Sequence, residues 1–170
     1  MSINWRPWTQ QTFQLAKESN KPLVVIFHTI ENAWCRKFFN ELSSCDSCQN
    51  ALNTLVIPVL VDLVERPDLE PRYNIGGLPT ISFFSNEGDM LLSLTYVEPA
   101  QLAKVLVQFA EAMQQNSEQI IRLGREREQK IKQLLLNCLT GKCNPTIEIF
   151  RRTLKGVILS ADAQRGGFGT

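Results

Sequence analysis

Residues 23–38 read Leu-Val-Val-Ile-Phe-His-Thr-Ile-Glu-Asn-Ala-Trp-Cys-Arg-Lys-Phe (LVVIFHTIENAWCRKF). The opening run, Leu23 to Phe27, is apolar without alternation, the pattern of a strand covered on both faces. Helical spacing follows at once: Trp34, Cys35, Phe38, Phe39 and Leu42 recur as the apolar side of a helix beginning near Asn32. Asn32 carries a short side-chain acceptor of the kind that caps a helix start. A buried strand that turns sharply into a helix is half of a βαβ unit, so this stretch decides the fold class.

Working outward, Thr9 caps a first helix carrying Phe13, Leu15 and Ala16, which ends at Asn20-Lys21-Pro22. Ser43-Ser44 interrupts the helix after Asn32, and Cys45 to Leu52 resumes it with Ser44 as the expected cap. Leu55 to Val61 (LVIPVLV) is a second buried strand, ending at Asp62. Pro67 to Tyr73 is a short helix or turn, and Gly76-Gly77-Leu78-Pro79 breaks the chain before a third strand, Thr80 to Phe84. Asn86-Glu87-Gly88-Asp89 is a hairpin signal, Met90 to Tyr96 a fourth strand, and Pro99 opens a helix reaching about Gln115. The expected fold class is α/β: a small mixed sheet flanked by helices. Strands joined through helices are expected to pair parallel and the hairpin pair antiparallel.

From Ser117 a long charge-rich helix is expected, with Arg122 to Lys132 (RLGREREQKIK) as a solvated face of mixed sign. Asn137 to Pro145 reads as a loop and Ile147 to Leu159 as a last amphipathic helix. Its stripe of Ile147, Phe150, Leu154 and Ile158 would cover the core or dock a further domain. The expected organisation is a domain over 1–116, a helical extension over 117–160 and a linker over 161–170.

Lysine plus arginine total 18 against 17 acids in 170 residues, for a net charge of +1. This balance offers nothing to nucleic acid or to an anionic membrane. No apolar run approaches the roughly 20 residues of a membrane span. The start, MSINWRPW, lacks the charged-then-apolar pattern of a secretion signal, so a cytoplasmic protein is expected. Five cysteines form an odd set, which in a reducing compartment reads as free thiols.

The strand–helix–strand order, the following hairpin and helix, and Gly77-Leu78-Pro79-Thr80 before the third strand resemble thioredoxin. In that fold the proline is cis and lies beside a Cys-x-x-Cys pair at the strand-to-helix junction. The resemblance extends to one family, through Asn4-Trp5-Arg6-Pro7-Trp8, Asn20-Lys21-Pro22, Trp34-Cys35, Val61-Asp62, Glu65-Arg66-Pro67-Asp68, Tyr73, Gly76-Gly77 and Pro79. These are similar to the thioredoxin-like N-terminal domain of the spermatogenesis-associated protein 20 family. Asp162 and Gly166-Gly167-Phe168-Gly169 resemble its junction with a following α-helical, glycosidase-like toroid domain, the implied partner in the same chain. Where the family has Cys-His-Trp-Cys-His, this sequence has Asn32-Ala33-Trp34-Cys35-Arg36.

Disulfide exchange starts from an exposed thiolate at a helix N-terminus, where backbone N–H groups and the helix dipole favour negative charge. The resemblance puts Asn32 in that place and Cys35 in the inner, shielded one. The expected site is therefore degenerate, lined by Asn32, Trp34, Asp62, Leu78 and Pro79. It belongs to a non-catalytic structural or protein-interaction module without metal or cofactor. The alternative is a thiol–disulfide oxidoreductase or redox sensor using Cys35, or the intact Cys45-Asp46-Ser47-Cys48 pair. Cys138 and Cys143 could close a loop, or join Cys45 and Cys48 around zinc; unpaired thiols are the simpler reading. His28 is expected to be packed rather than catalytic. Asp62 is expected to orient the Glu65–Asp68 loop, Arg66 and Asp68 to pair with backbone or each other, and Trp5 and Trp8 to staple the N-terminal segment over the sheet.

Overall fold

The structure, a computed structural model, describes residues 2–140 together with 147, 150–152 and 154–155. The elements are α1 (Gln10–Ser19), β1 (Leu23–His28), α2 (Ala33–Ser43), α3 (Asp46–Thr54), β2 (Ile57–Asp62), α4 (Glu70–Tyr73), β3 (Thr80–Phe84), β4 (Met90–Leu94) and α5 (Pro99–Thr140). The chain forms two compact units, 1–130 and 131–170.

In the first unit the strands lie in the order β2-β1-β3-β4. β1 pairs parallel with β2 and antiparallel with β3, and β3 pairs antiparallel with β4. Each side of this mixed sheet is covered, as the apolar run of β1 demands. Val24 and Ile26 meet Phe38, Leu42, Leu52, Leu102 and Leu106 from α2, α3 and α5. Leu23, Val25 and Phe27, pointing the other way, meet Ala16 of α1, Leu69, Phe84 and the rings of Trp8 and Tyr73. All five β1 side chains from Leu23 to Phe27 are fully buried.

Several boundaries correct the sequence reading. β3 is not parallel to its predecessors: α4 has four residues, a length of about 6 Å, and does not carry the chain back along the sheet. The chain re-enters the sheet at the end where β2 leaves it: His28 is level with Asp62, and Phe27 with Thr80. Ser44 does not cap α3. Its N–H donates to the carbonyl of Glu41 and closes α2, so the cap position falls to Cys45. β2 begins at Ile57 and β4 stops at Leu94.

The two tryptophans near the N-terminus straddle the sheet rather than share a face. Between them Arg6 makes a parallel bridge with Val59, its N–H donating to Pro58 O (2.9 Å) and its carbonyl accepting from Leu60 N (3.1 Å). This shields the outer edge of β2, where Pro58 is tolerable. Trp5 then sits edge-on to Phe39 of α2, while Trp8 packs among Phe13, Phe27, Tyr73 and Phe84 on the opposite face.

The helix from Pro99 breaks at Asn116 (φ −139°, ψ 35°), and residues 117–130 fall in the same compact unit as the sheet. Gly124 explains how. A Cβ there would lie 2.7 Å from Leu91 Cδ2, so glycine permits close approach to β4 despite its helix cost of about 1 kcal/mol. Arg125, expected as a solvated charge, forks onto Asp89 through Nε (2.9 Å) and Nη2 (2.8 Å) and also reaches Glu87. Arg125→Ala is expected to lower amide-exchange protection across 117–130 while leaving β1 and β3 protected; equal loss in both would show that this helix is not separately clamped. Of the expected helix 147–159, residues 147, 150–152 and 154–155 are helical, and the rest lie outside the described residues.

Candidate functional site

The end of the sheet at which β1 and β2 finish and β3 starts carries the residues singled out at the strand-to-helix junction. The N–H groups of Trp34 and Cys35 donate to Asn32 Oδ1 at 2.8 and 3.2 Å, so one amide side chain satisfies two otherwise unpaired donors of α2. Arg36 tightens the same loop, donating through Nη1 to the carbonyls of Ile30 (3.0 Å) and Glu31 (2.7 Å). Cys35, in the third helical position, is 1% exposed and a free thiol. Burial pushes its pKa up, aided by the negative charge of Asp62. A backbone hydrogen bond with Thr29 and the charge of Arg36 only partly oppose this.

Asp62 ends β2 and holds the following turn: its Oδ1 accepts from Val64 N (2.9 Å) and its carbonyl from Arg66 N (2.9 Å). Arg66 then makes a two-point pair with Asp68, at 2.9 and 2.8 Å. That contact raises the guanidinium pKa and lowers that of the carboxyl. His28 stands edge-on to Phe39 with ring centroids 5.1 Å apart; burial depresses its pKa against the pull of Asp62. The Leu78–Pro79 peptide is cis, Pro79 is buried and Leu78 partly so. Ahead of it, Asn74 Oδ1 accepts from Gly76 N and Gly77 N, and Gly76 takes φ +104°, which glycine accommodates without strain.

Trp34 is 55% exposed, and Lys37 Nζ lies 5.1 Å from both its ring and that of Tyr96. The Tyr96 hydroxyl donates to Glu41 Oε2, which with burial raises its pKa to about 12. Sequence reading missed this cluster because Tyr96 lies far along the chain from α2. It also passed over Ile30, Val64 and Ile75, which are exposed in the three loops at this end of the sheet. Single apolar residues inside polar loops were the available signal.

Two further thiols stand at the start of α3. Cys45 is the partly exposed N-cap of α3 and Cys48 is fully buried one turn inside, with its pKa pushed up to about 12 by burial and by Cys45. Cys138 lies in α5 with its side chain outside the described residues, as is the whole of Cys143. Among the described residues no group of three or more His, Cys, Asp and Glu side chains is placed to hold a metal ion. No described helix is long and apolar enough to cross a membrane.

A four-stranded mixed sheet, a helix launched from the end of β1 and a cis-proline before β3 define a thioredoxin-like domain. The family model Thioredox_DsbH, described as "Protein of unknown function, DUF255", matches residues 1–135, and the chain belongs to that family. An uncharacterised protein of Caenorhabditis elegans is 26% identical over 98% of this chain and 24% of its own length. Human spermatogenesis-associated protein 20 is 24% identical over 79% of this chain and 18% of its own. The rat protein of that name is 32% identical over 42% of this chain. The chain thus spans a quarter or less of the length of these curated relatives. Among solved structures, a thioredoxin from Thermus thermophilus superposes with a TM-score of 0.57 at 22% identity, covering 66% of this chain and 90% of the other. The DsbH oxidoreductase superposes at 0.54 and 18%, covering 62% and 83%. At these identities they share the fold.

Proposed function

We propose that this domain is a thioredoxin-like module whose junction at Asn32 and Cys35 takes no part in disulfide exchange and serves protein interaction instead. The observation that carries this reading is the placement of an amide, hydrogen-bonded to its own helix, where the attacking sulfur would stand. The neighbouring thiol lies one turn deeper, buried and hard to ionise. Exchange requires an accessible thiolate, and this pair of residues supplies none. The exposed Ile30, Trp34, Val64 and Ile75 at the same end of the sheet, with Lys37 poised on the Trp34 ring, suit contact with an apolar protein surface. The greater length of the relatives supports a partner in the same chain: a following domain, of the helical glycosidase-like kind that the sequence resemblance implies. In this proposal residues 117–160 lead to that domain through 161–170, and the free thiols belong to a cytoplasmic setting.

The test is insulin-disulfide reduction by wild type and Cys35→Ser at equal concentration. Equal rates, whatever their size, are expected. A rate that depends on Cys35 overturns the reading.

A further inference from the structure

The starts of α2 and α3 share one spacing. In α2 the N-cap is Asn32 and the third helical residue is the buried Cys35; in α3 the N-cap is Cys45 and the third helical residue is the buried Cys48. At the first start, the N-cap side chain reaches the third residue directly, since Cys35 N donates to Asn32 Oδ1 at 3.2 Å. At the second, Cys45 has the non-helical backbone of a cap (φ −109°, ψ 85°). Its sulfur makes no capping hydrogen bond; it contacts Ser47 Oγ at 3.4 Å and stays partly exposed. Both thiols are free. The chain therefore carries a thiol in the outer position, with a second thiol one turn inside, at a helix start separate from the junction of β1 and α2.

We propose that Cys45 and Cys48 form a reversible dithiol–disulfide couple that reacts with small-molecule disulfides of the glutathione class, independently of Asn32 and Cys35. The Cys45 thiolate attacks one sulfur of the small disulfide, forming a mixed disulfide and releasing one small thiolate. Cys48, having lost its proton, then attacks Cys45 Sγ and expels the second small thiolate. The two protein thiols give up two electrons and two protons, and the incoming disulfide becomes two thiols. Helical i,i+3 neighbours hold their Cβ atoms roughly 5–6 Å apart, and the non-helical cap frees Cys45 to close to the roughly 3.5–4.5 Å of a disulfide. A small reactant is favoured because Cys45 is only partly exposed, in the bend between α2 and α3. That bend is held by Gln49, whose Nε2 donates to the carbonyls of Leu42 (3.0 Å) and Ser43 (2.9 Å). Burial of Cys48, with its pKa near 12, makes closure slower than for an exposed thiol, so the mixed disulfide has a measurable lifetime.

The experiment exposes the purified protein to an excess of oxidised glutathione, quenches with acid, alkylates, and maps peptides by mass. The expected wild-type product is a Cys45–Cys48 disulfide with no glutathione retained, reached through a transient adduct on Cys45. Cys48→Ser should stop at one glutathione on Cys45, Cys45→Ser should leave Cys48 reduced, and Cys35→Ser should behave as wild type. A folded wild type that keeps both thiols alkylatable, or closes only through another cysteine, overturns the proposal. So does a Cys45 adduct that never resolves. In a parallel arm with insulin, Cys48→Ser should trap no insulin chain; trapping there but no reaction with glutathione would overturn the assignment to small disulfides. Thermal melts of each variant show whether it is folded. Dependence on Cys45 tests this couple, whereas dependence on Cys35 tests the reading of the other junction.

Discussion

Asn32→Cys is expected to let this junction form an internal disulfide with Cys35 and reduce insulin. The substitution places a sulfur at the cap of α2, on backbone already extended (φ −75°, ψ 124°) and beside N–H groups that Asn32 Oδ1 now occupies. Those donors and the helix dipole favour a thiolate in the same way that they hold the amide. Cys35 then supplies the inner sulfur. Its burial and raised pKa slow its attack, as suits a resolving thiol that acts only within the molecule. In the reduced state the variant loses the asparagine cap, a cost of about 1 kcal/mol. Mass mapping after mild oxidation should find the new bond, and turnover should rise well above that of wild type and return to the wild-type level in the Asn32→Cys, Cys35→Ser double variant. A folded variant that retains both thiols under oxidation would show that the cap position does not present a side chain to Cys35, and would sink the reading of this junction.

The parts of this molecule that were legible beforehand are those decided within one turn or one strand. Leu23 to Phe27 announce a strand buried on both faces because no side chain in the run suits water, and Asn32 announces a cap because its acceptor reaches two residues ahead. Ser44 misled for the same local reason. Ser44 and Cys45 both flank a helix boundary, and only the hydrogen bond from Ser44 N to Glu41 assigns the serine to the helix before. The direction of β3 was illegible because it depends on where the chain stands in space after α4, not on the composition of β3. Arg125 looked like one charge among many in a mixed run. Its partners Asp89 and Glu87 lie 36 and 38 residues away, across a contact that exists only because Gly124 lets the helix approach β4. At the candidate site, Cys35 could be read as inner and shielded, but the grouping of Trp34, Lys37 and Tyr96 is tertiary and had no pattern in the chain.

Phe27→Ala is expected to cost about 3–5 kcal/mol, the largest loss of stability among these substitutions. Phe27 is fully buried and stacks on Tyr73 with ring planes 10° apart and centroids 5.3 Å apart, while Trp8 leans on it at 5.9 Å. Removing the ring leaves a void on the face where α1, α4 and the N-terminal segment meet the sheet. The rings around it are tied elsewhere: Trp8 to Phe13 and Phe84, Tyr73 to Phe84. They cannot all move inward, so little of the cavity should collapse. Against a typical total of 5–15 kcal/mol for a folded domain, the loss is a large fraction, and the melting temperature should fall by roughly 10 °C. Urea denaturation measures it directly. The midpoint should drop with the slope unchanged if the native fold survives. Phe27 is also the last residue of β1 before His28 and the junction loop, level with Thr80 of β3. Stability and site geometry therefore meet at this ring, and a loss below about 1 kcal/mol would mean that the face of the sheet carrying Trp8 and Tyr73 is not packed as a rigid cluster.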